Sequence, residues 1–108
     1  MTIALTGPVS AFFEAEKTQD LEGLARCFTA HATVRDEGRT IEGHDGIKRW
    51  MREAKAKYEH TVEPLAVFQR DGFTVVTARV AGKFPNSPLE LQHVFGVEGG
   101  KIASLEIR

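Results

Sequence analysis

Two long strand-like runs meet at Asp71-Gly72, and this junction constrains the chain most. Asp-Gly between alternating apolar segments is a strong signal for a tight hairpin. The runs on either side, near 59–70 and 73–84, are rich in β-branched and aromatic residues. Pro85-Asn86-Ser87-Pro88 then breaks the ladder as a loop. A third run follows at 89–97, and Gly99-Gly100 turns it into a fourth at 101–107. Helical periodicity is confined to the first half. Pro8 suits a first helical position after Gly7, with Val9, Phe12, Phe13 and Glu16 behind it at helical spacing. Asp20 reads as an N-cap ahead of the stripe Leu21, Leu24, Ala25 and Phe28. A third helix begins near His44 or Asp45, with the stripe Ile47, Trp50, Met51, Ala54 and Tyr58. Two short strands, near 32–36 and 39–42, flank Glu37-Gly38. Helices and strands do not alternate, so the expected class is α+β. The expected architecture is a cone: a bent antiparallel sheet with three helices from the N-terminal half on its concave face.

With 108 residues the chain suits one domain spanning 1–108. A formal charge of -1 gives no bulk field for nucleic acid or an acidic membrane. The cationic residues around Lys48, Arg52 and Lys55 therefore read as a solvated helix face. No apolar run is long enough to span a bilayer. MTIALTGP lacks the basic start and long apolar stretch of a signal peptide. The single cysteine, Cys27, cannot form an internal disulfide and is read as an inert buried thiol. The expected setting is the cytoplasm. The four histidines lie far apart in sequence with no ligand spacing, so no metal is expected. Gly43-His44-Asp45-Gly46 is too short for a dinucleotide fingerprint, and no cofactor is expected.

Two polar residues stand out because strand alternation turns them inward. Val34 and Asp36 share a face, so a core-facing Val34 brings a carboxylate with it. The same residue also suits a plain turn aspartate beside Glu37-Gly38. Leu89, Leu91, His93, Phe95 and Val97 share one face of their strand, apolar apart from His93. His93 is then either a satisfied core histidine or a hydrogen-bonding group in a pocket. Burial would raise the pKa of Asp36, and a nearby imidazolium would lower it. The strand 73–84 looks apolar on both faces, through Phe73 and Val75 on one and Val76, Ala78 and Val80 on the other. A covered outer face suggests a homodimer through the sheet.

The segment CFTAHATVRDEGRTIEGHDGIKRW, with Asp20 before it and FGVEGGKI near the end, resembles the nuclear transport factor 2-like superfamily. The SnoaL-like and ketosteroid isomerase-like branch is the most similar. The resemblance covers nearly the whole chain and implies the cystatin-like cone, with members that often dimerise through the sheet. Ketosteroid isomerases carry a similar ATVxD segment, whose aspartate is the base; here it matches Asp36. Their oxyanion hole uses a first-helix tyrosine and a protonated late-strand aspartate. Those positions fall on Phe12 and His93 here, so the phenol is lost and an imidazole replaces the acid.

The expected function is a pocket for a small, mostly apolar molecule bearing a carbonyl. As an enzyme it would be a cofactor-independent isomerase, cyclase or dehydratase, with Asp36 as base and His93 as oxyanion partner. Phe12, Phe28, Val34, Trp50, Tyr58, Leu91 and Phe95 are the expected pocket lining. The alternative is a ligand-binding or dimeric assembly module of the same fold without chemistry. In the assembly reading, Phe12, Phe28, Trp50 and Leu91 would fill the cavity.

Overall fold

Helix signals and hairpin turns set the order of elements. The computed structural model describes residues 4–108; Met1–Ile3, which open the segment read for a signal peptide, lie outside the described residues. Helix α1 (Gly7–Thr18) starts with Pro8 in its first turn. Helix α2 (Leu21–Arg26) is capped by Asp20, whose Oδ1 accepts from the Gly23 N–H at 2.9 Å. Strands β1 (Phe28–Asp36) and β2 (Arg39–Glu42) follow, then α3 (Gly43–Tyr58). The remaining strands are β3 (Thr61–Arg70), β4 (Phe73–Ala81), β5 (Leu89–Glu98) and β6 (Lys101–Ile107).

Three tight hairpins share one device. Glu37-Gly38, Asp71-Gly72 and Gly99-Gly100 each place two successive residues at positive φ. That backbone matches the twist of the flanking strands in two-residue loops.

The six strands lie in the order β2-β1-β6-β5-β4-β3. All neighbours are antiparallel except β1 and β6, which run parallel. The sheet is therefore mixed, where an antiparallel one was expected. Alternation reports which face a side chain takes, not the direction of the neighbouring strand. β1 also starts four residues before the expected strand. β3 begins at Thr61 because Glu59, at φ 47, closes α3 in the left-handed region. β4 ends at Ala81 rather than at residue 84. There Lys83 N–H donates to Tyr58 O at 2.7 Å, drawing the chain out of the ladder. α3 starts at Gly43, one or two residues ahead of expectation.

The helices pack on the concave face. Ile47, Trp50 and Met51 of α3 are buried there, and Arg49, Arg52, Glu53 and Lys57 are exposed, but Lys55, expected on the solvated face, turns inward to Glu16. Phe12 sits at the centre of the core at 1% exposure. Its ring meets Phe13, Phe28 and Phe95 at centroid distances of 5.1, 6.0 and 5.3 Å, all edge-on. Such contacts add to area burial and fix the tilt of α1. Three irregularities re-phase the strands: Leu65 of β3 and Ala103 of β6 have no direct antiparallel partner, and β1 slips against β6 between Phe28 and Thr33. These bulges bend their strands. The core and the bend leave an open cavity towards the mouth of the cone.

Candidate functional site

The cavity has a volume of about 430 Å³ and lies between the concave face, α1, α3 and the β4–β5 loop. Phe12, Trp50, Tyr58, Leu91, Asp36 and His93 line it. Phe28, Val34 and Phe95, expected as lining, do not; they are fully buried in the core. Alternation gave them the correct face but said nothing of depth. The assembly reading in which aromatics fill the space is not what the structure holds, because the cavity is open.

Asp36 ends β1, two residues beyond the fully buried Val34. Its Oδ2 accepts a 3.0 Å hydrogen bond from Trp50 Nε1 on α3. Burial raises its pKa above the usual carboxylate value, and the Trp50 N–H opposes that. Neighbouring Glu37 adds to the rise, while Arg39 and His60 pull down. The partner of this inward carboxylate is therefore an indole.

His93 lies on β5 at 3% exposure. Its ring stacks on Phe95 at 6.3 Å and lies 5.5 Å from Phe13. Burial pulls its pKa down to about 4, overriding the Leu91 backbone and Glu16, which favour the charged form. His93 is neutral near pH 7 and supplies no imidazolium to hold Asp36 ionised. Its Nδ1 is buried without a hydrogen-bond partner among the described residues.

Tyr58 lines the cavity as expected, whereas its partners Glu37 and Phe84, and Glu16 and His60, escaped sequence reasoning. Tyr58 Oη donates to Glu37 Oε1 at 2.6 Å, and its ring meets Phe84 edge-on at 5.9 Å. Together they join α3, the β1–β2 turn and the β4–β5 loop. Glu16 lines the wall from α1 and His60 from the link between α3 and β3. Glu16 did leave a signal, a carboxylate on the stripe Val9, Phe12, Phe13. His60 left none, because it falls in the link before β3 and not within the strand.

Among the described residues no group of three His, Cys, Asp or Glu is placed to hold a metal. No described helix is long and apolar enough to cross a membrane. Cys27 is buried, and burial raises its thiol pKa, which suits an inert group.

The SnoaL-like domain model matches residues 9–105. Among solved structures the chain is similar to a protein from Sinorhizobium meliloti proposed to be a polyketide cyclase. The two are 36% identical over 96% of this chain and 95% of that one, with a TM-score of 0.93. It is also similar to a protein of ketosteroid isomerase-like fold from Catenulispora acidiphila, solved with trimethylamine. That match is 19% identical over 97% and 86% of the two chains, with a TM-score of 0.82. A third, TerC co-crystallised with polyporic acid, is 17% identical over 94% and 87%, with a TM-score of 0.81. The last two likenesses show the fold alone. A comparison with curated proteins returned no match.

Proposed function

The chain belongs to the SnoaL-like domain family of the nuclear transport factor 2-like superfamily, and from that premise we propose that its cavity binds a small apolar carbonyl compound and moves a proton on it. The observation that carries this reading is a half-buried carboxylate at the wall of a cavity lined mainly by apolar groups. Asp36 is made more basic by burial, and one of its oxygens is fixed by Trp50. That suits it to take an acidic C–H proton next to a carbonyl. The electron pair moves onto the carbonyl oxygen. A neutral imidazole at His93 donates a hydrogen bond to that oxyanion more readily in a dry site than in water. Return of the proton to another carbon gives isomerisation; attack of the carbanion on a second carbonyl gives cyclisation. The S. meliloti relative, proposed to be a polyketide cyclase, supports this class.

The test is exchange of α-protons of small ketones in deuterated water, followed by NMR. Asp36→Asn should slow exchange by about 10²-fold or more with the fold unchanged by circular dichroism. Equal exchange removes Asp36 from the mechanism. Binding of the ketones with no exchange by the unmodified protein leaves ligand binding without chemistry.

The reading includes a homodimer paired through the convex face of the sheet, supported by exposed apolar groups there. It also includes a cytoplasmic setting, supported by a free buried thiol.

A further inference from the structure

The cavity contains a second carboxylate that the proton transfer leaves unused. Glu16 is 2% exposed, on the apolar stripe of α1. Lys55 Nζ lies 2.6 Å from its Oε2, and His60 Nε2 lies 3.1 Å from the same oxygen. Lys55 Nζ also donates to His60 O at 2.8 Å, which ties the α3–β3 link to the same cluster. Burial pushes the Glu16 pKa up, but His60 and Lys55 together hold it below the usual value. Glu16 is thus an anion inside an apolar wall.

Stability alone is a poor reason for this arrangement. A buried ion pair is costly to desolvate, and apolar side chains of similar volume are often as stabilising or more so. Lys55 and His60 also reach one oxygen only. Oε2 carries both contacts and is buried, whereas Oε1 takes neither of them and is not among the buried atoms without a partner. An ionised carboxylate can only accept. An acceptor at the wall of the cavity can take a donor from whatever fills it.

We propose that Glu16 is a ligand anchor, its Oε1 accepting a hydrogen bond from a hydroxyl or N–H that the ligand carries besides its carbonyl. This rests on the reading of the cavity as a carbonyl-compound site and narrows it to hydroxy- or amino-substituted carbonyl compounds. Lys55 and His60 are positioning residues that keep the anchor charged and oriented. A deoxy analogue fits the shape but leaves the anchor unsatisfied.

The experiment compares 4-hydroxyacetophenone with 4-methylacetophenone, which differ at one group of similar size. Trp50 is the only tryptophan, so its indole NMR signal reports occupancy of the cavity. Carboxyl-labelled glutamate reports Glu16. Both ketones should shift the indole. The hydroxyl compound should bind at least about tenfold tighter and move the Glu16 carboxyl signal. Glu16→Leu combined with Lys55→Leu removes both charges together and should abolish the preference while keeping the indole shift. If that variant does not fold, Glu16→Gln should cut the preference at least about threefold, as a neutral acceptor is weaker. Equal binding by the unmodified protein, or a preference that survives in the variants, overturns the anchor and leaves the cavity reading standing. Failure of both ketones to reach Trp50 at millimolar concentration overturns both.

Discussion

His93, Glu16 and Asp36 give the cavity three different dependences on pH. His93 has its pKa lowered from 6.5 to about 4, so the folded state resists its protonation. Its contribution is present above 6.5 and lost as pH falls towards 4. A shift of that size corresponds to about 3 kcal/mol. Urea unfolding between those pH values should show the loss, and His93→Leu should flatten the slope; an unchanged slope would assign the loss elsewhere. Glu16, also lowered, contributes above its ordinary value of 4.5 and is lost below it, in a later window. Asp36 has the opposite sign. Its pKa is raised, so its stabilising contribution is present below 3.8 and disappears as pH rises through the folded value. Asp36→Asn should therefore raise the melting temperature near neutral pH, with the gain vanishing in acid, while α-proton exchange is lost. An amide oxygen can still accept from Trp50. A lower melting temperature near neutral pH would show that the carboxylate is structural. Asp36 and His93 were legible because period-two alternation assigns a face to every strand residue. Trp50 as the partner of Asp36 was not, since that contact needs α3 docked across β1. Glu16 was passed over because a glutamate on a helix is normally solvated, and its partners Lys55 and His60 come from segments 39 and 44 residues later.

Among elements, α2 shows how much can rest on one cap. Its six residues are too few to be stable alone. Asp20→Ala should cost about 1 kcal/mol, measured by urea unfolding. Gly23 is part of the same device: a Cβ there would fall 2.3 Å from Asp20 Oδ2. Gly23→Ala should destabilise despite the better helix propensity of alanine, and the double variant should cost less than the sum. Additive costs would mean that the residues act independently. The helix and hairpin signals were local, so Asp20, Pro8 and the three tight turns could be read directly. The parallel pairing of β1 with β6 is not local; it joins Phe28 to Ile102 across most of the chain. Bulges were equally hidden. Val62 and Val67 both pack against the core at odd spacing because Leu65 is an extra residue between them. Strict alternation puts those two valines on opposite faces.

For the molecule as a whole, the convex face of the sheet decides whether the chain acts alone. Val75 and Val94 are already buried there, at 4% and 8% exposure. Phe73 lies beside them at 41% exposure, with its ring across Gly96, where a Cβ would approach it to 3.2 Å. Phe68 adds a second exposed ring at 36%, with Arg70 5.3 Å above it. A groove of about 310 Å³ runs past Phe73, bordered by Arg35 and Arg70 and by Asp71 and Glu106. Charges of both signs around an apolar centre let two copies related by a two-fold axis set unlike charges against each other. Sedimentation equilibrium at about 100 μM, enough to populate a micromolar interface, should give twice the chain mass. Phe73→Glu should return it to the mass of one chain. A protein already at one chain mass at that concentration ends the dimer reading. The cavity lies on the concave side, away from Phe73, so the Phe73→Glu monomer should still bind ketones at Trp50. Loss of that binding with the fold intact would mean that pairing through the convex face holds the curvature on which the concave site depends.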